Sequence, residues 1–154
     1  MDTNSQNPTY IFPAAGTYPV HLTVAEGCGV HDTIINVEVV LANVDFNYSV
    51  ECFGTATTFT DLSSTVGGTI GIWQWDMDND GVIDNTTQNP THTFPAPGTY
   101  TVGLYASAGG SCADSITHVI TVTPIPLPNF STVAVCLGDP TIFSDLSTIS
   151  TGTI

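Results

Sequence analysis

The chain has no lysine and no arginine, against fourteen aspartates and glutamates, which leaves a formal charge of −14 over 154 residues. Without a Lys or Arg cation, no Lys/Arg–carboxylate salt bridge can form within it. Phosphate backbones and anionic lipid headgroups are repelled, which sets aside nucleic-acid and membrane-surface binding. The side chains that steady an oxyanion or a transferring phosphoryl group are missing too, and there is no Gly-x-Ser-x-Gly elbow, His-Glu-x-x-His pair or phosphate loop. The sequence therefore offers no active site and predicts a non-enzyme. No apolar run approaches the ~18 residues of a membrane span, so no membrane insertion is expected of this segment. No secretory signal peptide is visible and no stretch carries helical periodicity. Such a charge often accompanies disorder, yet 42% of the residues are hydrophobic, enough to build packed cores. Stability must come from apolar burial, sheet hydrogen bonds, disulfides or bound metal ions.

What the chain has is repetition. The stretch from Gln6 to Tyr18 nearly returns from Gln88 to Tyr100, 82 residues later, and Phe59-Thr60-Asp61-Leu62-Ser63 returns as Phe143-Ser144-Asp145-Leu146-Ser147 at an offset of 84. A unit of about 80 residues is long enough to be a small domain with its own core. Position 1 aligns with 83 and position 154 with 70. The reading is the C-terminal half of one unit in 1–40, a complete unit in 42–124 and the N-terminal half of a third in 125–154. Either this is a window on a longer array, or chains self-associate head to tail, one chain's back half completing another's front half. The joint of such an assembly lacks the counterpart of 71–82, which carries Trp73 and Trp75.

The local pattern is β throughout. Tyr18, Val20, Leu22 and Val24 alternate onto one face, as do Tyr100, Val102, Leu104 and Ala106 in the copy. Period two with one apolar face marks a half-buried strand. Strands are expected near 43–50, 55–62, 70–76, 90–95, 98–107 and 114–123 of the whole unit. The flanking halves should contribute 8–12, 17–24 and 32–40 at the front and 129–135 and 140–147 at the back. Short strands at this spacing, separated by Gly, Pro, Asn and Asp clusters, predict a β-sandwich. Pro19, on the outward face of its strand, predicts an edge.

Trp73-Gln74-Trp75-Asp76, then Asn89-Pro90-Thr91-His92-Thr93-Phe94 and Pro97-Gly98-Thr99-Tyr100-Thr101-Val102, closely resemble the motifs of the polycystic kidney disease (PKD) domain. The resemblance covers the central unit, and the two halves fit as partial copies. It implies an all-β fold of tandem immunoglobulin-like sandwiches, outside the cell or on its surface, with neighbouring PKD-like repeats as partners. The run from Cys136 to Ser147 is similar to PKD arrays in large surface proteins of Bacteroidetes-like bacteria. Gly98-Thr99-Tyr100 also resembles the tyrosine corner of Greek-key sandwiches, in which the phenol bonds to nearby backbone. One departure is the turn Asp76-Met77-Asp78-Asn79-Asp80-Gly81, more acidic than the family's.

Alternating carboxylates followed by glycine can wrap oxygens around Ca²⁺, so Asp76, Asp78, Asp80 and Asp84 are the candidate calcium ligands. A twelfth-position glutamate is absent, Thr87 standing there, and aspartates at such a turn also serve as local caps. The four cysteines follow the repeat, Cys52 with Cys136 and Cys28 with Cys112. One of each kind per unit suggests a Cys52–Cys112 bridge inside the complete unit. Bridging between neighbouring units and free thiols remain open, since sequence does not fix connectivity. His21, His92 and His118 are not kept between copies and read as filling residues. Asp61 and Asp145 recur at strand ends beside Ser and read as turn caps. The function expected is a non-enzymatic structural segment of a large extracellular protein: a stalk, adhesin or surface filament. The alternative is an accessory carbohydrate- or protein-binding module of a secreted hydrolase, for which Trp73 and Trp75 would have to present their rings to a ligand.

Overall fold

The computed structural model describes residues 5–149. Among them the chain forms twelve strands and no helix: β1 (Gly16–Glu26), β2 (Gly29–Val39), β3 (Leu41–Asn43), β4 (Phe46–Tyr48), β5 (Thr57–Asp61), β6 (Ser64–Val66), β7 (Ile72–Asp76), β8 (Thr91–His92), β9 (Gly98–Ser107), β10 (Ala113–Val122), β11 (Phe130–Thr132) and β12 (Phe143–Asp145).

The alternating apolar residues of the central unit lay down two facing sheets. One has the order β10-β9-β7 and the other β4-β5-β8, all neighbours antiparallel. From the first sheet Trp75, Val102, Leu104, Ala106, Ile120 and Val122 point inward, and from the second Phe46 and Phe59, all buried. The Phe46 ring stands edge-on to Trp75 at 5.0 Å and that of Phe59 lies 5.3 Å from it. Edge contacts suit the aromatic quadrupole and add to burial, itself worth ~1.5–3 kcal/mol per large apolar side chain. The short pair β3–β6 lies beside this sandwich, against β10. The fold class is thus the all-β, immunoglobulin-like sandwich expected.

The tyrosine corner is present in both copies. Tyr100 donates its phenol proton to the Ala96 carbonyl at 2.9 Å, and Tyr18 does the same to Ala14, also at 2.9 Å. Pro19 sits in β1, which pairs only with β2, so its missing N–H faces an open edge.

Several strands differ from expectation. The run 43–50 divides into β3 and β4 around Val44 and Asp45, and β6 was not anticipated, its three residues being too short to show a period. The run 90–95 contracts to the two residues of β8, the length over which β5 pairs with it. Residues 8–12 form no strand. Their counterpart β8 exists by pairing with β5, and the front of the chain has no copy of β5 to supply that ladder.

The flanking hairpins repeat the geometry of the sandwich without its cover. Leu22 is 59% exposed where its counterpart Leu104 is 1%, and Phe130 is 63% exposed where Phe46 is 2%. The two ends of the sandwich lie at opposite poles. Val40 meets the β9–β10 hairpin, its carbonyl accepting the Cys112 thiol at 3.7 Å. Thr123, beyond β10, is bound to the Glu51–Phe53 loop by Phe53 N–H donating to its carbonyl at 2.8 Å. The strand between them, β10, has ten residues and spans roughly 30 Å.

Burial contrasts yield a direct stability test. Phe46→Ala removes a ring from between the sheets and should cost about 3–5 kcal/mol. Phe130→Ala, at the equivalent but uncovered position, should change stability by less than about 0.5 kcal/mol. Urea unfolding followed by tryptophan fluorescence measures both; equal costs would show that the back hairpin is covered as the sandwich is.

Candidate functional site

The acidic turn leaves β7 and folds back onto it. Asp84 N–H donates to the Trp75 carbonyl at 2.8 Å, and Trp75 N–H donates to that of Asn85 at 2.8 Å. Returning the chain so tightly requires a left-handed step: Asn79 has φ 58° and Gly81 φ 89°. Asparagine tolerates that region and glycine enters it without steric cost.

The carboxylates hold the turn. Asp76 accepts from Asp80 N–H at 3.1 Å and Gly81 N–H at 2.8 Å, Asp80 from Val82 N–H at 2.7 Å, and Asp84 from Met77 N–H at 2.7 Å. Oxygens of Asp76, Asp78 and Asp84 lie within 4.8 Å of one another. Asp80, the fourth candidate, stands outside this trio because its side chain turns to the backbone of Val82. Thr87 makes no approach to the trio: its hydroxyl donates to Asn85 Oδ1 at 2.8 Å and its carbonyl accepts the Trp75 indole N–H at 2.9 Å. The donor set fits a hard divalent cation in part, with three convergent carboxylates and no twelfth-position ligand.

A second polar cluster surrounds Asp61. Its Oδ2 accepts from Trp73 Nε1 at 2.7 Å and Gln88 Nε2 at 3.0 Å, and its Oδ1 from Ser63 N–H at 2.9 Å. Partial burial pushes this carboxyl up, but the hydrogen bonds from Ser63, Gln88 and Trp73 outweigh it and hold the group below its ordinary value. Asp61 is an anchored anion, the cap expected of it. Its hold on Trp73 was not foreseen, since twelve residues separate donor from acceptor. Hydrogen bonds from Ser147 likewise hold exposed Asp145 low.

The tryptophans are not a surface platform. Trp75 is fully buried, and Trp73 is partly buried against the same core with its indole N–H committed to Asp61. Among the histidines, His118 stacks on Phe46 at 4.4 Å and lies 3.4 Å from Asp45, and His92 packs on Phe94 at 4.7 Å. None joins the carboxylate trio.

The Cys52–Cys112 bridge is corrected by the structure. Cys52 sits at the Thr123 pole, its sulfur accepting the Thr123 hydroxyl at 3.6 Å, whereas Cys112 lies at the Val40 pole. The length of β10 separates them, and a disulfide needs Cα atoms within ~7 Å. All four cysteines are free. Counting one cysteine of each kind per unit says nothing of which pole each occupies.

A family model of the PKD domain matches residues 43–124, a little over half the chain. The chain belongs to the PKD domain family. Two solved structures are similar to it. The PKD1 domain from the Vibrio cholerae metalloprotease PrtV aligns at a TM-score of 0.47 and 26% identity, covering 53% of this chain and 96% of that one. The PKD1 domain of Vibrio anguillarum Epp aligns at 0.48 and 18%, covering 53% and 93%. No curated protein sequence gives a significant match. Membership makes the central unit an immunoglobulin-like structural module of a non-catalytic kind.

Two measurements check these assignments. Because Asp61 is held low when folded, the stability it contributes is full above its unfolded value near 3.8 and is lost as pH falls through the folded value. Acid unfolding of wild type should therefore steepen below about pH 4, and Asp61→Asn should flatten that limb; identical limbs would remove the anchor. At the turn, Asp76→Ala forfeits two backbone partners and should cost about 1–2 kcal/mol in chelator. Asp78 caps no described backbone group, so Asp78→Ala should relieve repulsion in the trio and leave stability equal or slightly higher. A melting temperature that rises in millimolar Ca²⁺, by a response Asp78→Ala abolishes, assigns a cation to the trio. Superimposable melts leave the carboxylates as caps alone.

Proposed function

We propose that the chain is a segment of a tandem PKD array serving as a spacer in a large extracellular or cell-surface protein, a stalk, adhesin or filament. The carrying observation is that the chain enters and leaves the sandwich at opposite poles, at Val40 and Thr123. Units joined through such poles add their lengths in series, and the internal repeat supplies the units. The linker Pro124-Ile125-Pro126-Leu127-Pro128 is proline-rich and semi-rigid, which suits a rod. On this reading residues 1–40 and 125–154 belong to the neighbouring units. Ca²⁺ held by Asp76, Asp78 and Asp84 is part of the proposal as a brace for the acidic turn.

Burial of Trp75 and the hold of Asp61 on Trp73 support a spacer over a sugar-binding accessory module, which needs an exposed ring. Pulling the chain from its two termini tests the proposal. The sandwich should open in one cooperative event with a contour gain of about 25 nm. Extension without a cooperative event, or retention of the chain on immobilised polysaccharide, would overturn the spacer assignment.

A further inference from the structure

Two cysteines touch the same kind of residue from different units. Val40 immediately follows β2 and Thr123 immediately follows β10. These strands are counterparts, closing equivalent hairpins with Gly16 opposite Val39 and Gly98 opposite Val122. Val40 and Thr123 therefore occupy one position of the repeat, the first residue of the linker. At Val40 the contact comes from the unit downstream, through the Cys112 thiol on its carbonyl at 3.7 Å. At Thr123 it comes from the unit upstream, through Cys52, whose sulfur accepts the hydroxyl at 3.6 Å.

Laying one junction over the other brings both sulfurs to a single linker residue, one on its side chain and one on its carbonyl. We infer that in the array the loop cysteine of each unit (the Cys52 position) forms a disulfide with the hairpin cysteine of the next (the Cys112 position), stapling consecutive sandwiches across their linker. Rotation about the cysteine side chains and a small closure of the linker bring the sulfurs into bonding range. Two thiols give up two protons and two electrons, which an oxidising low-molecular-weight disulfide accepts by exchange, becoming two thiols itself. Cys52 is exposed and open to that exchange, and Cys112 is half-buried.

The inference accounts for four free cysteines in one chain. Cys52 looks to a hairpin cysteine of the following unit and Cys112 to a loop cysteine of the preceding one, and no two cysteines of this sequence stand in that relation. It also supplies a joint that charge cannot, since a chain without lysine or arginine has no such salt bridge with which to fasten one unit to the next. The staple rests on the serial-spacer reading.

The test duplicates residues 43–126 in the full chain, adding one whole period and so one complete junction between two sandwiches. With oxidised glutathione, the duplicated protein should form one intrachain disulfide, read by mass as a reducible link, while the original chain forms none. Cys52→Ser in the first copy, or Cys112→Ser in the second, should abolish it. Cys112→Ser in the first copy, or Cys52→Ser in the second, should leave it intact. Two cooperatively melting sandwiches whose six thiols all escape intrachain linkage would overturn the staple. So would a link abolished by Cys112→Ser in the first copy, which marks pairing within a unit. Solution scattering separates this from the spacer reading: an elongated particle with free thiols removes the staple and keeps the rod, and a collapsed one removes both.

Discussion

The sandwich depends on an indole with no exposed edge. Trp75 is the largest fully buried side chain, and what surrounds it is arranged to keep it there. Phe46 and Phe59 close over it from the opposite sheet, and Leu104 lies directly across the β7–β9 ladder. A buried indole also carries a donor that must be satisfied, and the Thr87 carbonyl does so. The chain can present that carbonyl only by turning sharply after β7 and coming back alongside it. The acidic turn is thus the means by which Trp75 is both covered and hydrogen-bonded, and the left-handed steps at Asn79 and Gly81 follow from it.

The lack of lysine and arginine shapes the rest. A carboxylate in most proteins can find a cationic side chain; here the partners are backbone N–H groups, an indole, an amide and one histidine. Asp76, Asp80 and Asp84 are spent on the turn, and Asp61 and Asp145 on the serines two residues on. Such bonds to ionised acceptors are stronger than neutral ones, and they are local, so they fix turns without linking distant surfaces. Cohesion between sheets is left to apolar packing.

Much of this was legible in the residues. The alternation in 98–107 and 114–123 matched β9 and β10 to within a residue, because long strands with one buried face write a clear period. The tyrosine corners were legible from Gly-Thr-Tyr in both copies, and the caps at Asp61 and Asp145 from the serine that follows each. What failed was non-local. Residues 8–12 have the composition of β8 but lack the partner that makes β8 a strand. The trio of carboxylates left out Asp80 because the turn's backbone claimed it first. The cysteine pairing failed because membership of one unit does not imply nearness when a ten-residue strand runs between.

That last failure carries a general consequence for the fold. A sandwich whose chain enters at one pole and leaves at the other places residues of like sequence position at like ends. Neighbours across a linker can then be closer than residues at the two ends of a single unit. Cys112 makes this concrete: it touches Val40, which belongs to the preceding hairpin, and is far from Cys52 of its own sandwich. In such an architecture the junction, with its one linker residue gripped from both sides, is where units can be coupled. The stiffness of a rod built this way is set there, while the cores need only survive the load.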